Sequence, residues 1–164
     1  MLPLRAVNHR IHSVAEQIHA VHMAAYKQEA ALLGVARFPP LELTVGDLMH
    51  APVEFVGAFE GEKLVGAMSV CPDEEGLGVN IASLVVHPAY QRRGVGIALL
   101  ETATEKHGSS GMTVQTAAAN QPALSLYARF GFKVYRRWSV GVEQLELVKL
   151  NREPAKSQSA ASRQ

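Results

Sequence analysis

Residues 84–98 read Leu-Val-Val-His-Pro-Ala-Tyr-Gln-Arg-Arg-Gly-Val-Gly-Ile-Ala. An apolar stretch ending at Val86 and His87-Pro88 runs into a loop, and the loop into a helix whose first turn holds Gly94 and Gly96. The first N–H groups of a helix have no internal partner and sit at the positive end of its dipole. Glycine lets an anion approach that backbone closely, and Arg92 and Arg93 add charge beside it. These residue types at this spacing suit a phosphate. A P-loop would need Gly-Lys-Ser/Thr, which does not follow. A dinucleotide fingerprint would need a third glycine three positions after Gly96, where Leu99 stands. The plainer alternative is a strand-to-helix corner tightened by two glycines.

The same stretch resembles the GNAT superfamily of N-acetyltransferases. Its signature Gln/Arg-x-x-Gly-x-Gly/Ala is matched by Gln91-Arg-Arg-Gly-Val-Gly96, after an apolar strand ending in Val86-His-Pro88. A second motif is matched by Asn120, Ala123, Leu126-Tyr127 and Gly131-Phe132. The resemblance covers about Val53 to Leu150. It implies a mixed, mostly antiparallel α/β (α+β) sheet of about seven strands, splayed between the fourth and fifth and flanked by about four helices. It further implies that acetyl-coenzyme A is the co-substrate and that the acetyl group passes to a primary amine by direct attack in a ternary complex. Arg92, Arg93, Gly94, Val95, Gly96 and Ile97 would then hold the pyrophosphate, and Leu84, Val85 and Val86 would pair with the pantetheine arm. Asn120 would hydrogen-bond that arm, with a helix N-cap as its competing role. Tyr127 would be the general acid toward the departing thiolate. A phenol near pKa 10 can donate to a thiolate whose thiol lies near 8.5.

Two positions depart from the family pattern. Relatives keep a glutamate on the fourth strand, where Asn80 stands, or on the fifth, where Gln115 stands. Neither amide accepts a proton, and neutralising a lysine-like amine at pH 7 costs about 4.6 kcal/mol. A base could come from Glu42, Asp47, His50 or Glu54. Otherwise the acceptor is a weakly basic amine, or the chain binds acyl-coenzyme A without turnover, as a sensing module.

The elements that must position these residues are legible from periodicity. A strand is predicted at Leu4–Asn8, then a helix from Ser13, a capping-box candidate with Glu16, to Gly34. A short helical turn follows at Thr44–Met49. Strands at Val53–Phe59 and Lys63–Val70 form a hairpin around Gly61, and a third runs from Val79 to Val86. A helix spans Gly94–Lys106, a strand Met112–Ala118, a helix Gln121–Phe130, and strands Phe132–Val140 and Val142–Leu150 close the order. Residues 1–150 read as one acyl-coenzyme A-binding domain and residues 151–164, without a large apolar residue, as a disordered tail.

Composition excludes several classes. The chain has 164 residues with formal net charge +1, too balanced for nucleic-acid binding through bulk charge. Its one cysteine, Cys71, makes no intrachain disulfide. No apolar run long enough for a membrane span and no signal-peptide core is evident, so the expectation is a cytoplasmic protein with no membrane or nucleic-acid partner and no metal. His12, Glu16, His19 and His22 share helical spacing and read as a solvated face. The acceptor is not readable; Tyr26, Phe38 and Met49 fall in the segment that would shape it. A homodimer is left open.

Overall fold

A computed structural model describes residues 2–155. The order is β1 (Leu4–Val7), α1 (His12–Leu33), α2 (Val45–His50), β2 (Glu54–Glu60), β3 (Lys63–Pro72), β4 (Val79–Val86), α3 (Val95–His107), β5 (Met112–Ala117), α4 (Gln121–Arg129), β6 (Lys133–Val140) and β7 (Leu145–Arg152). Short 3-10 turns occupy Pro39–Glu42, Pro88–Tyr90 and Gly108–Ser110. The strands lie in the order β1-β2-β3-β4-β5-β7-β6. This is the predicted mixed α/β sheet. The β4–β5 ladder is parallel and runs through Val79–Met112, Asn80–Thr113 and Ile81–Val114, although β4 continues to Val86 and β5 to Ala117. The chain divides into two compact units, residues 2–71 with 82–100 and residues 72–81 with 101–155.

In the first unit β2 and β3 form the predicted hairpin, with Glu60 opposite Lys63 and Gly61 at φ +60. The apolar face of α1 (Ala15, Ile18, Val21) packs with Phe55 and Phe59 of β2, Leu64 and Ala67 of β3, and Val85 of β4. Burial of this kind contributes roughly 25 cal/mol per Å² of apolar surface. The helix does not begin as predicted. Asn8 turns the chain, its Oδ1 accepting from Arg10 N–H at 3.0 Å and its carbonyl from Ile11 N–H at 3.2 Å. Ile11 becomes the N-cap, its carbonyl accepting from Val14 and Ala15 N–H, so Ser13 lies inside the helix and caps nothing. Gly34 ends α1 as predicted, left-handed at φ +67.

In the second unit β5 pairs antiparallel with β7 from Met112–Arg152 to Ala117–Leu147. Met112, Val114, Ala117, Tyr127, Phe132, Val148 and Leu150 are buried. The last strand starts at Leu145 instead of Val142, because Gly141 and Gln144 take positive φ in the preceding turn. It also runs past Leu150 to Arg152, whose Nε donates to Phe130 O at 2.8 Å. Ala155 N–H donates to Gly108 O at 2.9 Å. The first residues of the predicted tail are therefore bound, and residues 156–164 lie outside the described residues. No helix among the described residues is long and apolar enough to cross a membrane.

Candidate active site

In the first unit, β4 ends in a hydrogen-bonded corner. His87 N–H donates to Val65 O on β3 at 2.8 Å, and the His87 imidazole accepts from Ala89 N–H at 3.1 Å. Tyr90 N–H returns to His87 O at 2.8 Å, closing the turn. Gln91 Nε2 donates to Gln28 Oε1 at 2.7 Å and to Val86 O at 3.3 Å, tying the corner to α1. Of the predicted arm-binding residues, Val85 is buried in the core while Leu84 and Val86 are half-buried.

The glycine turn follows at once. Arg92 at φ +63 and Gly94 at φ +79 are both left-handed, a conformation that costs a non-glycine residue about 1 kcal/mol or more. A Cβ on Gly94 would meet nothing within 4 Å, so backbone conformation and not crowding selects glycine there. Ala98 N–H donates to Gly94 O at 2.9 Å. The N–H groups of Val95, Gly96 and Ile97 consequently have no partner inside α3. Arg92, Arg93 and Gly94 are exposed. Sequence reading passed over Gly66. A Cβ there would lie 3.0 Å from Val95 Cγ1 and 3.3 Å from Val85 O, so its absence seats the first turn of α3 on β3. The signal was a glycine inside a strand pattern.

In the second unit, Asn120 caps α4, its Oδ1 accepting from Ala123 N–H at 3.2 Å. Tyr127 is buried and meets Phe132 edge-on at 5.7 Å between ring centres. The turn at Gly131, φ +86, lets Phe130 and Phe132 N–H both donate to Tyr127 O, at 3.0 and 3.1 Å. Tyr127, Gly131 and Phe132 of the second motif thus form one packed corner.

Asn80 belongs to a polar cluster in the same unit. Thr113 Oγ1 lies 3.0 Å from Asn80 Oδ1 and 2.8 Å from Asp73 Oδ1. Lys149 Nζ lies 2.8 Å from Asp73 Oδ1 and 3.3 Å from Glu75 Oε1, and Arg136 and Tyr135 also reach Glu75. Burial alone would raise the Asp73 pKa, but hydrogen bonds from Lys149, Thr113, Leu77 N–H and Glu75 N–H outweigh it and hold the carboxyl at about 2. Burial would lower Lys149, but hydrogen bonds to Asp73 and Glu75 dominate and push it up to about 12. Asp73 is therefore an ionised anchor and takes no proton near neutral pH. Gln115 is exposed, opposite Lys149 on β7.

The four carboxylate and imidazole candidates named from sequence lie apart from one another in role. Glu42 accepts from Arg37 Nε at 2.8 Å. Asp47 and Thr44 form a capping box at the start of α2, which sequence reading missed because Asp stands where the motif has Glu or Gln. His50 Nδ1 is 2.8 Å from Gly46 O, and Glu54 is exposed. The predicted solvated histidine face holds only for His12 and Glu16, paired at 2.9 Å. His19 Nε2 is 2.8 Å from Leu43 O, tying the segment before α2 to α1. His22 is buried against Tyr26 and Phe55, with neither ring nitrogen hydrogen-bonded. Phe38 meets Tyr26 edge-on at 6.0 Å and is buried. Among the described residues no three His, Cys, Asp or Glu side chains converge as metal ligands.

The acetyltransferase (GNAT) family model matches residues 14–132. The UPF0157 protein YqkA of Bacillus subtilis (strain 168) is 34% identical over 128 residues, covering 77% of this chain and 37% of that protein. The chain thus spans well under half the length of that curated relative. Among solved structures, yncA of Salmonella typhimurium with its cofactor acetyl-CoA superposes with a TM-score of 0.73 at 18% identity, over 96% of each chain. The PaiA N-acetyltransferase of Thermoplasma acidophilum in complex with coenzyme A gives 0.68 at 16% identity, over 91% of this chain and 98% of that one. Arabidopsis thaliana NAA60 in complex with a bisubstrate analogue gives 0.70 at 18% identity, over 96% and 100%. At these identities the likeness to the solved structures is one of fold.

Proposed function

The chain belongs to the acetyltransferase (GNAT) family, and from that premise we propose that it moves the acetyl group of acetyl-coenzyme A to a primary amine by direct attack in a ternary complex. The observation that carries this reading is the turn at 92–97: two left-handed residues, an open glycine, and three N–H groups without helical partners. Arg92, Arg93, Gly94, Val95, Gly96 and Ile97 hold the pyrophosphate, largely through backbone N–H. The edge of β4 at Leu84, Val85 and Val86 pairs with the amide-bearing arm, a form of strand addition. Asn120 bonds the arm while capping α4. Backbone N–H of β4 polarises the thioester carbonyl. As the neutral amine attacks that carbon and the C–S bond breaks, Tyr127 gives its proton to the leaving thiolate, and the proton shed by the acylated nitrogen passes through water to restore the phenol. The solved complexes with coenzyme A and with acetyl-CoA among the fold relatives support the choice of co-substrate.

No base is assigned. Asn80 and Gln115 are amides, and Asp73, joined to Asn80 through Thr113, is held ionised at about 2. This favours an acceptor of low basicity. It equally supports a second reading, an acyl-coenzyme A-binding module without turnover. Calorimetric titration with acetyl-coenzyme A followed by a thiol-release assay against a panel of amines of graded pKa separates them. Binding with thiol release fastest for the less basic amines supports transfer. Binding with no release from any amine supports the module, and no binding overturns both.

A further inference from the structure

The sheet of the second unit has two unlike faces. Register puts Val148, Leu150 and Arg152 of β7 on one of them, beside Thr116, Val114 and Met112 of β5. Arg152 Nε reaches Phe130 O at the end of α4 at 2.8 Å, and a Cβ on Gly108, just past α3, would lie 3.0 Å from Arg152 Nη1. The ends of α3 and α4 therefore meet this face, and Val148 and Leu150 are buried in it.

The other face carries two cross-strand rows: Gln115, Lys149 and Arg136, then Ala117, Leu147 and Trp138. The loop after β3 closes one end of it, where Asp73 meets Thr113 and Lys149 and Glu75 meets Arg136. That group sets two carboxylates against two cations and is balanced. The second row lies beyond it and is apolar. Leu147 and Trp138 are half-buried, and Gln115 is exposed. Arg136 Cζ stands 4.9 Å from the centre of the Trp138 ring, so a cation steadies the indole.

Gln115 is the residue of β5 that follows the last β4–β5 rung, Ile81–Val114. On the acetyl-coenzyme A reading the arm enters at the glycine turn after β4 and runs back along that strand, which directs its thioester end toward this rung. Neighbouring strands are about 4.8 Å apart, so Leu147 and Trp138 stand roughly 5 and 10 Å from Ala117 across the sheet. A phenyl ring on a two-carbon chain covers such a span. Indole and leucine favour a flat apolar body, while Arg136 and Lys149, already paired, leave a charged body nothing to meet.

We infer that Trp138 and Leu147 are specificity-determining residues for the acceptor, and that the acceptor class is a primary amine on a flat, uncharged, apolar body. The inference rests on the acetyl-transfer reading and adds the acceptor's chemistry to it.

The test compares 2-phenylethylamine with 3-methoxypropylamine, primary amines of similar basicity, in the thiol-release assay. The wild type should favour 2-phenylethylamine about tenfold in kcat/KM, with the gap lying in KM. Trp138→Thr should lower the 2-phenylethylamine value about tenfold and the other by less than about twofold, while Trp138→Phe, which keeps a ring, should retain most of the preference. Trp138 is the only tryptophan in the chain, so its emission reads the contact directly. With coenzyme A bound, the emission should change saturably with 2-phenylethylamine and not with 3-methoxypropylamine. Thiol release with no preference in the wild type, full preference kept by Trp138→Thr, or emission indifferent to 2-phenylethylamine overturns the acceptor assignment and leaves acetyl transfer standing. Emission that changes with protein concentration alone puts a second copy on this face and overturns the assignment too. Coenzyme A binding without thiol release from either amine also overturns it, and the amine panel above then decides whether transfer fails as well.

Discussion

Lys149 Nζ lies 2.8 Å from Asp73 Oδ1, with the Asp73 side chain fully buried and that of Lys149 only 9% exposed. The pair fixes the loop after β3 to β7, and through Thr113 it holds Asn80 at the start of β4. Removing one partner from such a pair leaves a buried charge unmatched, which costs about 3–5 kcal/mol. Asp73→Asn should therefore destabilise by that amount in urea unfolding, and the double variant Asp73→Asn/Lys149→Met by less than the sum of the singles.

The same pair sets an acid limit. The Asp73 carboxyl ionises at about 2 in the fold against 3.8 as its ordinary value. Its folded pKa is depressed, so its contribution is complete above pH 3.8 and is lost as pH falls toward 2. The size is on the order of 2 kcal/mol. Stability measured against pH in the Asp73→Asn variant should lack this descent.

His22 gives a second and higher window. Burial, with His19 nearby, lowers its pKa from 6.5 to about 4. The fold holds the neutral ring, so this contribution is complete above pH 6.5 and is lost as pH falls through 4, at about 3 kcal/mol over the whole range. Because neither ring nitrogen is hydrogen-bonded, an apolar replacement forfeits no bond. His22→Leu should be as stable as the wild type or more so at pH 7, with a flatter profile between pH 6.5 and 4.

How much of this was legible beforehand differs by interaction range. β4, the Gly34 stop and the order of elements follow from local periodicity and punctuation. The motifs at Gln91–Gly96 and Asn120–Phe132 also lie within short stretches. What sequence could not give were long-range partners. Asp73 and Lys149 lie far apart in the chain, and their pairing depends on β5 meeting β7. His22 reads as one more residue of a polar face until Phe55 of β2 covers it. Ser13 failed as a cap because Asn8 had already turned the chain.

Gly94→Ala separates folding from binding. With no atom within 4 Å of the added Cβ, the cost to stability is that of a left-handed alanine, about 1–2 kcal/mol. On the proposed reading the phosphate lies against this backbone, so acetyl-coenzyme A affinity should fall at least tenfold. Gly66→Val, which crowds Val95 and Val85, should instead lower stability and affinity together. Thermal melts and calorimetry read both.

Tyr127→Phe keeps the ring that packs on Phe132 and removes only the hydroxyl. Thiol release should slow by about a hundredfold, with acetyl-coenzyme A affinity within about threefold of wild type. An unchanged rate removes Tyr127 from the mechanism.

The most direct measurement follows the backbone amides of the α3 turn by 15N–1H correlation spectroscopy during titration with coenzyme A. Gly94, Val95, Gly96 and Ile97 N–H signals should move together, saturate with the ligand and become slow to exchange with solvent. If coenzyme A leaves these four signals in place, the diphosphate is not held by this turn and the acyl-transfer assignment fails.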